Sequence, residues 1–574
     1  MENYLIEYEK WLHSPLLDKD TIAELENIKN DQNAIKERFS KNLEFGTGGM
    51  RGIVGAGTAR MNKYTIAKTT QGLANYILET EATSPSCVIS FDPRHNSIEF
   101  ATITALTLNA NGIKTYIYDQ MRPTPQLSFS VRYLNCSAGV MVTASHNPPE
   151  YNGYKVYGPD GAQVTSPNDL AIMKHVLQIN DLTQVKTISK DEAIKNGLYN
   201  IVPKIVEEKF LTHALNQRIH PQLATNTPLK IVYSPLHGAG YVPITNILKM
   251  AGYLDVHCVK EQTVPCGNFS TVSSPNPEDP TAFVMGIEKA TQINADIILA
   301  TDPDADRVGV VAKDKDGKYA HFPGNTLGTL IANYILEQLS LTKKLPPNPA
   351  IITSIVSTQM TKQIATYYGA NYYEVLTGFK HFGKKIKELE ETTNQRFVYG
   401  FEESFGYSIS DFQRDKDAVC VSLIICEMAN FYKEQGLSLW EATELLYKKF
   451  GYYADISKSI VLKGLDGNAK IQKIMNYFEE NCPKTIADLD VLEYLNYQTS
   501  IKLNTQTLEQ TKITLPKSYV LYYKLANNSW ACIRPSGTEP KIKIYVGAVG
   551  EANQEAFDNA NKIIQAMLTI ISSV

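Results

Sequence analysis

The sequence predicts an α/β protein of three similar domains closed by a smaller α+β domain. Three observations carry this. A chain of 574 residues exceeds what one hydrophobic core can organise. Short β-rich runs alternate with helical patterns over most of its length, the sign of α/β layers. From about residue 455 that texture gives way to successive strand-like runs.

Residues 1–40 are rich in Glu, Lys, Leu and Ile at helical spacing and read as a helical lead-in. A coarse repeat follows. Three times a β-rich run ends in a polar loop, and roughly 45–70 residues later a second run ends in a chemically richer one. The pairs are 87–97 with 138–148, 229–240 with 295–307, and 350–359 with 396–407. Ligands of open α/β sheets gather beyond the carboxyl ends of strands, so three such units can aim their loops at one cleft. In the last segment VLEYLNYQTSIKLN, KSYVLYYKLA, WACIRPSG and KIKIYVGA read as strands, ahead of an Ala/Asn/Ile helix at 551–571.

Composition narrows the function. Hydrophobic residues at 43% and charged residues at 20% are ordinary for a soluble globular chain. A net charge of −4 argues against a nucleic-acid partner. The eight cysteines form no Cys-x-x-Cys pair, which disfavours zinc ribbons and redox motifs and fits a reducing compartment. The N-terminus has early acids and no apolar core, and no stretch is apolar enough to span a membrane. A cytoplasmic protein without membrane partners is expected.

Four loops carry chemistry. Thr143-Ala-Ser145-His146-Asn-Pro148 follows an apolar run. It reads either as an exposed nucleophile beside a histidine or as a plain turn. The Gly-x-Ser-x-Gly frame of a hydrolase elbow is missing. Asp302-Pro-Asp304-Ala-Asp306-Arg307 sets carboxylates at i, i+2 and i+4, which share one side of an extended segment. Three carboxylates on one side call for a hard divalent cation, and Mg²⁺ is favoured where phosphate binds. An EF-hand fails, because Arg307 stands at the required glycine and Lys313 at the bidentate glutamate. Arg534-Pro-Ser536-Gly537-Thr538 joins a fixed cation, two hydroxyls and a glycine, the makings of an anion nest or of a hairpin turn. Gly400-Phe-Glu402-Glu403-Ser404-Phe-Gly406 offers two carboxylates and a hydroxyl to sugar hydroxyls, to a second metal, or to a turn. Two near-misses are rejected. Gly378–Lys385 lacks the Walker hydroxyl, since Lys385 replaces Ser/Thr, and residues 45–52 lack the third glycine of a dinucleotide fingerprint.

Together these loops, with Phe45-Gly-Thr-Gly-Gly-Met-Arg51-Gly52, resemble the α-D-phosphohexomutase superfamily, in that family's order and from Phe45 to Tyr545. The resemblance implies four domains around a central cleft, three of them α/β with mixed sheets. On this chain they would be domain I at 1–205 with the lead-in and phosphoserine loop, domain II at 206–322 with the metal loop, domain III at 323–450 with the sugar loop, and domain IV at 455–574 with the phosphate loop. It also implies that Ser145 carries a phosphoryl group. Asp302, Asp304 and Asp306 would hold Mg²⁺ together with an oxygen of phosphorylated Ser145. Arg51 and Arg307 would neutralise the moving phosphate, with Lys155 at the reacting centre. Glu402 and Ser404 would grip sugar hydroxyls, and the loop containing Thr377, Gly378, Lys380 and His381 would add a basic residue. Arg534, Ser536, Gly537 and Thr538 would hold the phosphate that does not react.

The implied reaction passes through a bound bisphosphate that turns over, with glucose 1,6-bisphosphate as intermediate and activator. The general base is open among His146, Lys155 and Lys380; a lysine base needs a lowered pKa, which neighbouring cations would supply. Glu-Glu-Ser in the sugar loop and the long lead-in resemble the phosphoglucomutase and phosphopentomutase subgroup. Glucose 1-phosphate is the first expectation, ahead of pentose or mannose phosphates. A haloacid-dehalogenase-like phosphatase with an aspartate nucleophile is the rival class, opposed by Asp306 where Thr or Val is wanted. A non-catalytic sugar-phosphate sensor is the third.

Overall fold

The computed structural model describes residues 3–43, 48–80, 83–409, 411–462, 467–536 and 541–574. They form two compact units, Met1–Phe322 with Phe382–Thr393 and Gly406–Gly436, and Pro323–His381 with Asn394–Phe405 and Leu437–Val574.

In the first unit the lead-in is three short helices, Asn3–Leu12, Lys19–Asn27 and Gln32–Phe39. Asp18 and Asp31 cap the second and third by accepting from Thr21 N and Ala34 N. Tyr8, Trp11, Leu25, Ile35 and Phe39 form their shared core.

Next come β1 (Gly49–Ile53), β2 (Ser86–Phe91), β3 (Lys114–Ile117), β4 (Ala138–Val142), β5 (Tyr151–Tyr157) and β6 (Tyr199–Ile201), in sheet order β1-β5-β4-β2-β3-β6. β2 and β4 are buried at every residue, as strands covered on both faces by helices must be. The second sheet takes β7 (Ile231–Ser234), β8 (Val256–Cys258), β9 (Ile297–Thr301), β10 (Val308–Lys313) and β11 (Tyr319–His321), in the order β11-β10-β9-β7-β8. The repeat read from the sequence is physical. β3-β2-β4-β5 and β8-β7-β9-β10 have the same strand order, three parallel strands and then one antiparallel.

In the second unit β12 (Pro349–Ser354) lies between β13 (Asn371–Val375) and β14 (Arg396–Glu402), parallel to both, which repeats the same three-strand core. The described residues from 452 onward form a separate antiparallel sheet with its helices. Its core packs the helices Gly467–Glu480 and Asn553–Ser573 on one face through residues such as Met475, Phe478, Ile563 and Met567. Tyr522, Trp530 and Tyr545 share another cluster with Ile355, Val356 and Leu376, joining the two parts of this unit. No helix among the described residues is long and apolar enough to cross a membrane.

Candidate active site

Strand β4 delivers the serine loop. Beyond Val142, Thr143 Oγ1 donates to Asp92 Oδ2 at 2.7 Å and accepts from Ser145 N at 2.8 Å. Ser145 adopts φ +52°, the sparse left-handed region, which for a serine must be held by its surroundings. From there its Oγ donates to Asp302 Oδ2 at 2.7 Å and lies 3.2 Å from His146 Nδ1. Ser145 is 3% exposed, so this hydroxyl faces a built interior.

The carboxylates come from the loop after β9. They converge, though not as an extended run. The chain turns, with Ala305 at φ +47° and its N–H donating to Asp302 O at 2.9 Å, so the turn brings the carboxylates together. Side-chain oxygens of Asp302, Asp304 and Asp306 lie within 4.8 Å of one another. Asp302 Oδ1 accepts from Asp306 N and Arg307 N at 3.1 and 3.0 Å. Asp304 Oδ1 and Asp306 Oδ1 are buried without a hydrogen-bond partner. Orphaned buried carboxylate oxygens are costly, and a hard divalent cation with oxygen ligands fits them. Burial, then Asp306 and Asp304, hold the Asp302 carboxyl well above its ordinary pKa. Burial opposes ionisation of Asp306 too, but Lys416, Lys155 and Arg307 outweigh it and hold that carboxyl well below.

Cations ring the cluster. β1 and β5 pair Arg51 with Gly153 and Gly49 with Lys155, so Arg51 and Lys155 share a face. Lys155 Nζ donates to Asp304 Oδ2 at 2.8 Å and Asp306 Oδ2 at 3.3 Å. Burial works to lower the pKa of Lys155, but Asp304 and Asp306 prevail and hold it above the ordinary lysine value. Arg51 donates to Asn147 Oδ1 at 2.9 Å in the serine loop, and Arg307 pairs with Glu278.

Three contributors escaped the sequence reading. Lys416 Nζ lies 3.1 Å from Asp306 Oδ2. Thr124 Oγ1 donates to Asp304 Oδ2 at 2.9 Å. Asp92 with Arg94 anchors the serine loop. The signal for Lys416 was the run Arg414-Asp-Lys-Asp417 ahead of the apolar helix Ala418–Glu434, charges that are all buried. Nothing local marks Thr124.

The second unit gathers the other expected residues. Gly378, at φ +109°, donates its N–H to Glu402 Oε1 at 2.6 Å, joining the Thr377–His381 loop to the end of β14. Lys380 and His381 open the helix Phe379–Thr392, and Ser404 sits half-buried in the turn after Glu402. Glu403 accepts from Ser354 Oγ at 2.9 Å and lies near enough to Arg534 to favour its charge. Arg534 donates to Tyr545 Oη at 3.0 Å, and Ser536 N closes on Lys541 O at 2.8 Å. Phe45, Gly537 and Thr538 lie outside the described residues.

Descriptions of the phosphoglucomutase/phosphomannomutase family match this chain with alpha/beta/alpha domain I over residues 42–182, domain II over 208–317 and domain III over 323–450. The chain belongs to this family, within the α-D-phosphohexomutase superfamily. It is 37% identical to a phosphoglucomutase of Staphylococcus haemolyticus over 514 residues, 89% of this chain and 91% of that one. It is 38% identical to a phosphoglucomutase of Staphylococcus aureus strain MSSA476 over 534 residues, covering 93% and 94%. Its fold is similar to the open form of the Paramecium phosphoglucomutase pp63/parafusin, with a TM-score of 0.67 at 18% identity, covering 92% and 95% of the two chains. It is likewise similar to a phosphomannomutase-like protein of Thermus thermophilus, with a TM-score of 0.66 at 20% identity, covering 92% and 99%. The family member described here has phosphohexomutase-type activity on sugar phosphates, with a candidate divalent-cation site at its aspartate cluster.

Proposed function

We propose that this phosphohexomutase is a phosphoglucomutase, interconverting glucose 1-phosphate and glucose 6-phosphate through a phosphorylated Ser145. The observation that carries the reading is the 2.7 Å contact of Ser145 Oγ with Asp302 Oδ2, beside two buried carboxylate oxygens that lack hydrogen-bond partners. The staphylococcal relatives, which bear the name phosphoglucomutase and cover most of this chain, support glucose as the sugar. The Glu402-Glu403-Ser404 form of the sugar loop supports it as well. The division into four domains, with limits near residues 205, 322 and 450, belongs to the same proposal.

Asp302, Asp304, Asp306 and an oxygen on Ser145 would hold Mg²⁺, which when bound offsets charge on the phosphoryl oxygens. Phosphoryl transfer needs positioning and charge neutralisation above all, because negative charge spreads over the moving group. Lys155, Lys416, Arg51 and Arg307 provide fixed positive charge around Ser145. Lys155, whose Nζ donates to Asp304 and Asp306, serves neutralisation in this reading. His146, whose Nδ1 stands 3.2 Å from Ser145 Oγ, is the group assigned to take the incoming hydroxyl's proton, with Lys155 and Lys380 as the alternatives. Glu402, Ser404 and the Thr377–His381 loop would orient the sugar, and Arg534 to Thr538 would hold the distal phosphate. A grip of this kind accepts the bisphosphate in either orientation, as a mutase requires.

An aspartate nucleophile fits poorly. Asp306 stands where that class wants Thr or Val, and the Ser145 hydroxyl lies against Asp302 Oδ2 at 2.7 Å. The test is a coupled assay for glucose 6-phosphate formed from glucose 1-phosphate, with Mg²⁺ and glucose 1,6-bisphosphate. Turnover supports glucose. Activity only on ribose or mannose phosphates moves the substrate and keeps the mechanism. Net release of inorganic phosphate contradicts the mutase.

A further inference from the structure

The loop after β2, Asp92-Pro93-Arg94-His95, anchors the serine loop from directly beneath it. Arg94 Nη2 donates to Ser145 O at 2.6 Å and also to Asn147 O. Its Nη1 donates to Pro148 O at 2.8 Å and Tyr151 O at 2.9 Å. Nε faces Asp92 Oδ2 at 3.1 Å, and that same oxygen accepts from Thr143 Oγ1. Every donor of the guanidinium is therefore directed inward, and none reaches the Ser145 hydroxyl. Four carbonyls from one seven-residue stretch repel one another unless a cation sits among them, and a planar fork meets their directions in a way a lysine ammonium cannot.

The second sheet's loops complete this clamp. The Phe269 ring covers the guanidinium, with Cζ 5.0 Å from the ring centroid, and Phe269 is 1% exposed. Asn268 Oδ1 lies 2.7 Å from His95 Nε2. A Cβ on Gly267 would come within 2.8 Å of His95 N, so the approach there demands glycine.

We propose that Arg94 is a positioning residue: it holds the backbone of Ser145 in the left-handed conformation from which Oγ reaches Asp302, and Phe269 keeps that guanidinium dry. This rests on Ser145 as the phosphoryl carrier. Because Arg94 acts on the backbone of the serine loop, directly and through Asp92 and Thr143, its loss should slow phosphoryl transfer without changing sugar affinity. Misplacement of a reacting atom by about 1 Å costs about 100-fold.

The experiment follows phosphate appearing on Ser145 by intact mass after mixing with glucose 1,6-bisphosphate and Mg²⁺, in wild type, Arg94→Lys and Phe269→Leu. Arg94→Lys should phosphorylate about 100-fold more slowly, reach the same one-phosphate endpoint, and keep KM for glucose 1-phosphate within about twofold. Phe269→Leu should slow the step about threefold. A wild-type rate in Arg94→Lys, or a rate loss matched by an equal rise in KM, overturns the inference. If Arg94→Lys does not fold, an unchanged rate in Phe269→Leu overturns it. Absence of phosphate on wild-type Ser145 is a distinct result, because it removes the carrier itself.

Discussion

Ser145 and Asp302 stand 157 residues apart in sequence and meet in a 2.7 Å hydrogen bond, the point where the first two repeats combine their chemistry. Each lies just beyond the carboxyl end of the equivalent strand of its sheet, β4 for the serine and β9 for the aspartate. One strand plan used twice therefore produces a site that neither repeat holds alone.

The aspartate cluster should bind a divalent cation strongly enough to stabilise the fold. At a Mg²⁺ concentration about 100 times Kd, linkage adds about 2.7 kcal/mol. Thermal unfolding should rise by several degrees with Mg²⁺ and fall back with chelator. Asp306→Asn should abolish that response. An unchanged Mg²⁺ response in the variant would count against the site.

Asp417 gives a pH signature independent of the site's metal. It is fully buried, caps the helix Ala418–Glu434 through Val419 N and Cys420 N, and burial pushes its pKa up to about 7. Its folded value exceeds the unfolded one of about 3.9, so the folded state binds the extra proton between these values. Its contribution is therefore full below about pH 4, declines as pH rises towards 7, and then levels off. Asp417→Asn keeps an oxygen for the cap and removes the titration. Urea unfolding at pH 5 and pH 8 should show wild type losing more stability with rising pH than the variant; equal losses would contradict the assignment.

Gly153 is the tightest point under the serine loop. A Cβ there would lie 2.3 Å from Thr143 O and 3.0 Å from Met50 O, backbone on both sides. Gly153→Ala should cost about 1–3 kcal/mol by overpacking. Since Thr143 accepts from Ser145 N, activity should fall further than stability alone explains. Denaturant melts and kcat on the same variant check both effects.

Glu402 tests the sugar side. If it accepts sugar hydroxyls, Glu402→Ala should lower kcat/KM for glucose 1-phosphate by about 100-fold, because a site built for hydrogen bonds loses them all at once. Chelator-sensitive Mg²⁺ stabilisation should persist. A kcat/KM within about twofold of wild type would remove Glu402 from the substrate loop.

How much was legible depends on whether chemistry was local. Ser145 and the three aspartates sit in short runs that the family resemblance singles out, although by residue type alone the serine run reads equally as a turn, and the strand repeat shows in the spacing of apolar runs. Thr124 could not be read, because nothing local marks it, and the charged run around Lys416 does not show its partner, since each acts on a carboxylate more than 100 residues away, brought there by packing. The aspartate run was misjudged as extended because a left-handed alanine at 305 leaves no composition signal. Lys155 Nζ likewise meets carboxylates from another sheet, contacts that its own run of residues does not show.

The most direct test of the central claim is intact mass with peptide mapping of the purified protein before and after glucose 1,6-bisphosphate. The account predicts one added phosphate, on Ser145, absent in Ser145→Ala, which should lose activity at least about 1,000-fold. An active protein with no phosphate on Ser145 would contradict it.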